Sequence, residues 1–431
     1  MKNRESIKHV DQQLQRREFM SYALAAGIAM VCRPIGAQSI MGHTGGRASE
    51  ADATKLRSHA TSLLRLFLCG DVMTGRGIDQ ILPHAGNPVL YERHMKSATG
   101  YVELAEEANG PIRKPVEYSY IWGDALAELA RRKPHLRIIN LETAVTHSDD
   151  VADKAVNYRM QPDNIPCINA ANIDCCTLAN NHVLDWGYEG LAETLRVLKA
   201  ADIEIAGAGM NLQQARAPAL LTVPGKGRVL VFSFGSETSG IPRSWAATAD
   251  TAGVNLLPDL SSETVRGIRD SIEQTKLTGD VAVLSIHWGG NWGYEVPREQ
   301  LEFAHRLIDE AGADIVHGHS SHHVKGMEVY KGKLVFYGCG DFLNDYEGIT
   351  GYEAYRGDLV MMYFPSLDPS TGNLISLHMT PMQIKRFRLN RALDNDVLWL
   401  KNVLNREGKK FGTSVVLSAD NTLMLGWISS N

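Results

Sequence analysis

The chain has 431 residues, of which 44% are hydrophobic and 22% are charged, so it is long and apolar enough for one large domain or two moderate ones. This composition excludes a disordered or fibrous protein. The formal net charge of -5 provides no basic surplus of the kind that binds phosphate backbones, so we expect no nucleic acid among its partners.

The N-terminus has the layout of a secretory signal. Arg16 and Arg17 precede an apolar run at about 22–31, and small residues surround a cleavage point that we predict after Ala37. Paired arginines are typical of the twin-arginine export route, and the run is shorter than the roughly 20 residues that span a bilayer. We therefore expect an exported protein, periplasmic or extracellular, with membrane association only if the signal stays uncleaved as an anchor.

Composition and pattern divide the rest of the chain into three parts. Residues 38–65, rich in Ser, Gly, Ala and Thr, are predicted to be a flexible lead-in. Residues 66–365 are the predicted main domain. Residues 366–431 are a predicted β-hairpin extension, with a short helical stretch, packed on the same domain.

Strand patterns alternate with helical patterns through the main domain. Short apolar or β-branched runs predict strands at 64–71, 136–142, 173–181, 203–209, 228–235, 281–290, 313–319 and 333–341. Amphipathic segments at 190–201 and 298–312 have apolar residues at helical spacing. After residue 358 the pattern changes to hairpin strands at 358–366 and 382–390. The alternation predicts an α/β fold with parallel or mixed sheets.

Polar residues follow the predicted strands at their carboxyl ends, the edge where ligands bind in open α/β sheets. The residues found there are Asp71, Glu142, Asn181, His182, His287 and His319. This mixed set of oxygen and nitrogen donors suits divalent Mn, Zn, Fe or Mg. We predict one or two divalent metal ions as cofactors.

Segment 315–326, IVHGHSSHHVKG, is the densest group of candidate ligands. It places His317, His319, His322 and His323 within seven residues, after an apolar strand run. The alternative is a surface turn, with His317 pointing into the core and His323 facing solvent. The joint occurrence of this cluster and the polar strand ends favours metal ligands.

The other candidate residues each have a structural alternative when they are taken alone. Asp71 is as consistent with a cap of the following segment as with a ligand. The consecutive Asn180, Asn181 and His182 form either a structural turn or part of a site, and His287 is either a hydrogen-bonded core histidine or a ligand.

Five ordered motifs, GDVMTGRG, NLETAVT, LANNHVLDWG, SIHWGGNWG and GHSSHHVKGMEVYKGKLVFYGCGDF, resemble the CapA family. That family is associated with poly-γ-glutamate capsule synthesis and is built on the calcineurin-like metallophosphoesterase fold. The resemblance extends from about residue 66 to residue 342. It implies a four-layered α/β/β/α sandwich with a dimetal site between loops at one sheet edge.

The resemblance also implies roles for individual residues. The implied metal ligands are Asp71, Glu142, Asn181, His287, His319 and His322. His182 resembles the histidine that protonates a leaving group.

Two positions depart from the pattern of classical phosphoesterases. Glu142 replaces a bridging aspartate, and Met73 stands where the first motif, Asp-x-His, has its histidine. Because a thioether is no ligand for a hard metal, we expect one metal position to be weak or to hold a different metal.

The chemistry of the residues agrees with a hydrolytic site. His182 is a candidate general acid, and Asp185, three residues further on, lies on the same face of a helical turn and would orient it. Arg76 and Lys325 are candidate contacts for an anionic substrate, with ordinary solvated charges as the alternative.

Two functions from different classes fit these features. One is a metal-dependent hydrolase or transferase that acts on a phosphoester or on poly-γ-glutamate, which the pairing of His182 with Asn181 favours. The other is a non-catalytic, metal-bearing component of a capsule assembly or export apparatus that binds the anionic polymer, which the missing histidine at Met73 favours. In both cases we expect an anionic polymer or phosphoester as ligand and capsule synthesis machinery as partner.

Overall fold

Apolar and β-branched runs build two large β-sheets in residues 63–428, the part of the chain that the computed structural model describes. The strands in this part are β1 (Leu64–Val72), β2 (Leu136–Leu141), β3 (Ala144–Val145), β4 (Arg159–Met160), β5 (Cys175–Thr177), β6 (Glu204–Ala206), β7 (Ala208–Gly209), β8 (Ala219–Val223), β9 (Gly227–Gly235), β10 (Gly253–Val254), β11 (Val281–His287), β12 (Ile315–His319), β13 (Met327–Tyr330), β14 (Lys333–Phe336), β15 (Asp341–Leu343), β16 (Leu359–Leu367), β17 (Leu374–Ile384), β18 (Leu389–Arg391), β19 (Thr413–Leu417) and β20 (Leu423–Trp427).

Helices connect many of these strands. They are α1 (Thr99–Asn109), α2 (Ala125–Arg132), α3 (Pro166–Asn169), α4 (Gly187–Ala200), α5 (Leu212–Arg216), α6 (Ser262–Glu273), α7 (Arg298–Asp309) and α8 (Asp394–Gly408). Short 3-10 helices lie at Asp79–Ile81, Tyr120–Trp122, Pro162–Asn164, Glu237–Ser239, Arg243–Trp245, Glu353–Tyr355 and Lys409–Phe411. Within residues 63–428, none of the helices has the length and apolar character needed to cross a membrane.

The first sheet has ten strands, in the order β19-β20-β17-β16-β1-β2-β5-β6, with β15 beside β1 and β18 beside β17. Its β1, β2, β5 and β6 are parallel, whereas β16, β17, β20 and β19 are antiparallel. The second sheet has six strands, in the order β13-β14-β12-β11-β9-β8, and its four central strands are parallel. Small two-stranded sheets join β3 to β4 and β7 to β10.

Three apolar clusters fill the interior. Because side chains alternate along a strand, Leu66 and Phe67 of β1 belong to different clusters. The cluster with Leu66 also contains Val283 of β11, so it includes residues of both large sheets. The cluster with Phe67 contains residues of α1, α2 and α4, and a third cluster joins β9 and β11 to α6 and α7. The mixed α/β prediction is confirmed.

Each predicted strand run contains a strand, but several strands end before the run does. The run 173–181 yields only β5, and the run 203–209 divides into β6 and β7. The amphipathic segments form α4 and α7. The predicted pattern did not include α1, α2 and α6, nor the hairpin β19–β20 that extends the ten-stranded sheet.

The predicted domain division stays a prediction. The signal peptide at 1–37 and most of the lead-in at 38–65 lie outside the described residues, and β1 already begins at Leu64. The predicted boundary at residue 365 falls inside β16, and the strands that follow it continue the sheet to which β1 belongs.

Candidate metal centre and its cavity

Asp71, near the end of β1, is fully buried and held on both oxygens. Its Oδ1 accepts a hydrogen bond from Asn140 Nδ2 at 2.7 Å, and its Oδ2 accepts one from the backbone N–H of Ser320 at 3.0 Å. Ser320 has a backbone φ of 100°, which L-residues rarely adopt, so the backbone is held in an unfavourable conformation as its N–H meets this carboxylate. Burial, reinforced by the charge of Asp341, raises the pKa of Asp71 to about 7.

His287 and His319 end the neighbouring parallel strands β11 and β12 and lie opposite each other in register. Their Nδ1 atoms are 2.7 Å apart. The distance to Asp71 Oδ1 is 3.9 Å from His287 Nδ1 and 3.6 Å from His319 Nδ1. Two atoms that bind one ion at about 2.1 Å are about 3.4 Å apart in tetrahedral geometry. Among the described residues, Asp71, His287 and His319 therefore form a group of donor atoms compact enough for one metal ion.

Burial keeps both histidines of this group in the form that binds metals. It lowers the pKa of His287 and of His319 well below the usual value for histidine, so both rings are neutral near pH 7. Neutral imidazole is the form that ligates metal ions. The other nitrogen of His319, Nε2, lies 2.8 Å from Ser285 Oγ, which fixes the ring orientation.

Glu142, directly after β2, extends the site on the other side of His287. Its Oε1 lies 3.6 Å from His287 Nε2, and Asn181 Oδ1 lies 2.9 Å from the same nitrogen. The second oxygen, Oε2, is buried without a hydrogen-bond partner. Burial and the charges of Asp71 and Asp341 raise the pKa of Glu142 well above its usual range.

The donor set and its charges fit a divalent cation. Asp71, Glu142 and Asp341 are three buried carboxyl groups, and the charge of Asp341 raises the pKa of the other two. Buried negative charge of this kind needs compensation. The neutral His287 and His319 do not supply it. An orphaned carboxylate oxygen together with a compact Asp-His-His group is the arrangement that a hard or borderline metal ion would satisfy.

His182 and Asp185 form a close pair beside this group, as their spacing predicted. His182 Nδ1 lies 2.5 Å from Asp185 Oδ2, and His182 Nε2 lies 3.8 Å from Glu142 Oε1. Asp185 Oδ2 also accepts the backbone N–H of Tyr158 at 2.6 Å. Burial lowers the pKa of His182 to about 4, although Asp185 acts in the opposite direction.

Asn180 explains why two asparagines stand in succession before His182. Its side chain donates to Asn140 Oδ1 at 3.1 Å and to the carbonyl of Leu141 at 2.9 Å, so it ties the end of β2 to the segment after β5. Its Oδ1 accepts the backbone N–H of His182 at 3.1 Å. Asn180 is thus structural, whereas Asn181 faces His287.

Lys154 belongs to the site although no sequence motif marks it. Its ammonium lies 2.5 Å from Asp185 Oδ1 and 3.3 Å from His182 Nδ1, and it donates to the carbonyl of Asn181. It comes from a polar stretch between β3 and β4 that has no pattern of its own. Only the folded chain brings it to the His182–Asp185 pair.

His322 is separate from the compact group but faces the same region. Its Nδ1 lies 2.8 Å from Asp341 Oδ1. Burial lowers the pKa of His322, but the carboxylate of Asp341 outweighs burial, and the net pKa is above the usual value. Asp341 stands in the quoted GCGDF motif, and sequence reasoning assigned it no role.

The remaining two histidines of the cluster are not at the site. His317 points into the core as the structural alternative anticipated, because its Nε2 lies 2.7 Å from the carbonyl of Cys69. The alternative that His323 faces solvent is wrong. It is only 1% exposed, and its ring packs against Tyr294 and Tyr355 at centroid distances of 4.6 and 4.7 Å.

A cavity of about 880 Å³ opens beside the metal group. Four of the residues predicted to bind metal or transfer a proton, Glu142, Asn181, His182 and His322, line it together with Lys154. A cavity of this size lies in the upper part of the usual range for ligand sites, about 300–1,000 Å³. It has room for a substrate much larger than a single phosphate group.

Arg76 also lines this cavity, but acidic side chains already compensate its charge. Its Nη1 lies 2.9 Å from Glu92 Oε1, and its Nε and Nη2 contact the two oxygens of Asp345 at 3.1 and 2.5 Å. Lys325 is buried, does not line the cavity and donates weakly to the carbonyl of Glu295 at 3.4 Å. Substrate contact by Arg76 or Lys325 stays a prediction.

Met73 occupies the position of the absent first-motif histidine. It is fully buried, and its sulfur lies 3.5 Å from the hydroxyl of Tyr346. The thioether therefore packs against an aromatic residue at the site and offers no donor to a hard metal.

Known proteins resemble this chain over most of its length. Residues 65–346 match the family described as "Bacterial capsule synthesis protein PGA_cap". A "probable polyglutamine synthesis accessory protein" of Mycobacterium tuberculosis is 49% identical over 363 residues, which cover 84% of this chain and 95% of the relative. The "PGA biosynthesis protein CapA" of Bacillus subtilis is 25% identical over 351 residues, 80% of each chain. The "Capsule biosynthesis protein CapA" of Bacillus anthracis is 25% identical over 282 residues, 65% of this chain and 60% of the relative. With its Asp-His-His group at the ends of β1, β11 and β12, the chain belongs to the PGA_cap, or CapA, family of bacterial capsule synthesis proteins.

Proposed function

We propose that this chain is an exported, metal-dependent hydrolase or transferase of capsule polymer biosynthesis that acts on a phosphoester or on poly-γ-glutamate. The observation that carries the proposal is the position of the His182–Asp185 pair, with His182 on the cavity wall beside the Asp71, His287 and His319 group. A protein that only bound a polymer would have no use for a buried proton-transfer pair next to a metal group. The relatives named for polyglutamine or PGA synthesis support the polymer context.

The arrangement of the three apolar clusters supports the fold that the family resemblance implies. One cluster includes residues of both large sheets, and each of the other two joins one sheet to helices. We propose that this is the four-layered α/β/β/α sandwich of metallophosphoesterases. Such a sandwich places the carboxyl ends of its parallel strands at one rim.

In this proposal the site residues have separate roles. Asp71, His287 and His319 would hold one metal ion, and Glu142, Asn181 and His322 are the remaining predicted ligands. A bound divalent metal would stabilise negative charge on the substrate and lower the pKa of water from 15.7 toward about 7.

The His182–Asp185 pair would move the proton. Asp185 accepts the hydrogen bond of His182 Nδ1, so Nε2, the nitrogen toward Glu142, is the atom that would take up a proton from the attacking water and pass it to a leaving group. Lys154 compensates the charge of Asp185. It also donates a hydrogen bond to the carbonyl of Asn181, which holds the segment that carries Asn181 and His182 in place.

A direct test uses the mature protein loaded in turn with Mn, Zn, Fe and Mg. Each sample is incubated with a panel of phosphoesters and with poly-γ-glutamate, and phosphate release and polymer length are measured. We expect turnover of at least one of these substrates that disappears on chelation. If every metal-loaded sample is inactive on both classes, the catalytic proposal is wrong.

The second candidate function is a non-catalytic polymer-binding component, and the buried Met73 favours it because that position supplies no metal donor. Equilibrium binding of poly-γ-glutamate to the metal-loaded protein separates the two functions. Tight binding of polymer that is recovered intact after long incubation supports this candidate, and polymer cleavage rejects it.

Two departures from the pattern of classical phosphoesterases predict that the two metal positions differ in affinity. Met73 removes a ligand, and Glu142, one methylene longer than aspartate, bridges less tightly or displaces its strand end. We expect one metal to survive purification and a second to be lost or partly filled, with low phosphoesterase activity until metal is added. Titration of Mn or Zn into chelated protein, with the binding steps counted, checks this. Two equally tight steps would show that both departures are harmless.

Export by the twin-arginine route is also a proposal. It rests on Arg16, Arg17 and the short apolar run that follows them. We expect the mature protein to begin near Gln38 and to be found outside the cytoplasm, because the segment before Ala37 resembles a cleaved signal. N-terminal sequencing of protein from separated cell fractions measures this. Replacement of both arginines by lysine should retain the protein inside the cell, and recovery of an intact N-terminus on cytosolic wild-type protein would exclude the proposal.

A further inference from the structure

His322 is the one predicted ligand whose orientation depends on a carboxylate that no sequence argument used. Its backbone N–H donates to the carbonyl of Asn291 at 2.9 Å. Its ring packs against Trp292 and edge-on against Tyr346, both at a centroid distance of 5.4 Å. Packing of this kind restricts the ring to one plane, but it does not decide which nitrogen faces the cavity.

Asp341 decides it. The carboxylate is 1% exposed, and its Oδ1 lies 2.8 Å from His322 Nδ1. A carboxylate only accepts hydrogen bonds, so Nδ1 carries the hydrogen in this contact. The opposite nitrogen, Nε2, is then left for the cavity, which His322 lines.

Two further contacts hold Asp341 itself. Its Oδ2 accepts a hydrogen bond from Asn344 Nδ2 at 2.7 Å, so each oxygen already has a partner. It begins β15, which pairs in parallel with β1, and Asp71 lies opposite it in register. The strand pairing therefore sets the distance between the metal group and the carboxylate that orients His322.

We propose that Asp341 is a positioning residue that fixes His322 so that its Nε2 faces the cavity as the donor of the second, weaker metal position. This inference rests on the metal centre proposed above. A carboxylate that accepts the second N–H of a metal-binding histidine orients the ring and raises its basicity as a ligand. Asp341 acts through His322, and it does not belong to the compact group of Asp71, His287 and His319.

The test is a double-mutant cycle with zinc affinity as the readout. Chelated wild-type protein, Asp341→Ala, His322→Ala and the double variant are titrated with zinc against a competing chelator. We expect Asp341→Ala to weaken one zinc step by about 10- to 100-fold, the usual effect of removing such a partner. We expect the double variant to bind zinc no more weakly than His322→Ala, because Asp341 has nothing left to orient.

Two additional measurements separate positioning from structural support. In ¹⁵N spectra of the wild-type protein we expect His322 to carry its hydrogen on Nδ1, and to lose this preference in Asp341→Ala. Asp314→Asn is the matched control, because Asp314 is a buried carboxylate paired with Lys276 and Lys333 before β12, away from the site. It should leave both zinc steps unchanged. If Asp341→Ala does not fold, Asp341→Asn, with its poorer acceptor, should still weaken the same step about 10-fold.

Three results would overturn the inference. Unchanged zinc affinity in Asp341→Ala and Asp341→Asn would show that the carboxylate does not assist His322. Additive losses in the double variant would make Asp341 an independent contributor, such as a direct ligand. If the wild-type protein binds no zinc, the proposed metal centre is wrong as well. If it binds zinc in two steps whose affinities do not change in the Asp341 variants, only the inference about Asp341 is wrong.

Discussion

Replacing His287 and His319 together by alanine is expected to reduce bound metal from near one ion per chain to below about one tenth. The change removes two of the three donor atoms that lie within 4.8 Å of one another. Of this compact group only the Asp71 carboxylate would remain, whereas a metal site needs about four donors. Elemental analysis of protein purified without added metal measures the loss.

The matched control for this experiment is His317→Ala. His317 lies on the same strand, two residues before His319, and is equally buried, but its Nε2 contacts the carbonyl of Cys69. Its removal takes away this buried hydrogen bond and should lower the free energy of unfolding by about 1–3 kcal/mol without loss of metal. Full metal content in the His287→Ala, His319→Ala double variant would disprove the assignment of the metal group.

Replacing His182 by alanine is expected to leave the metal in place and to lower kcat by about 10²- to 10⁴-fold, the usual contribution of a general acid. Its Nδ1 is engaged by Asp185, and its Nε2 points toward Glu142 and the cavity. The alanine variant therefore loses the proton-transfer group but none of the metal-binding atoms of Asp71, His287 and His319. Steady-state kinetics on the best substrate of the panel, together with metal analysis of the same sample, measure both parts.

Two variants make this result interpretable. Asp185→Asn keeps the size of the side chain but removes the charge that orients His182, so we expect a smaller loss of kcat with the same metal content. His147→Ala, at a histidine whose side chain is 57% exposed and paired with Glu193, should change nothing. An unchanged kcat in His182→Ala removes the catalytic role, and loss of metal in that variant would make His182 a ligand instead.

The sequence was sufficient for the residues that end strands. A run of apolar residues that stops at a polar one marks the carboxyl end of a buried strand, and parallel strands bring such ends to one edge. Asp71, His287 and His319 were found in this way, and the structure brings them together. The His182–Asp185 pair was equally readable, because a spacing of three residues in a turn puts both side chains on one side.

The rule that ligands follow strand ends does not identify site residues that lie in loops. Lys154 comes from a segment whose pattern gives no period, and it reaches the site only through contacts distant in sequence. Asp341 ends a predicted strand run, but its contact with His322 depends on the fold. Arg76 shows the same limit, since its pairing with Glu92 and Asp345 depends on loops that the sequence does not place.

The sequence by itself determined the α/β alternation, the strand ends and therefore the main members of the metal group, because these depend on local hydrophobic periodicity. Only the tertiary structure decided which histidines serve the site. His317 and His319 lie on the same face of β12, two residues apart, and both contact Ser285. His317 lies two residues before the end of β12, and its ring contacts the backbone carbonyl of Cys69 in β1. His319 lies at the strand end, and its ring faces the carboxylate of Asp71. That difference arises from how far each strand extends toward the rim when the sheets pack, and this is a property of the whole fold.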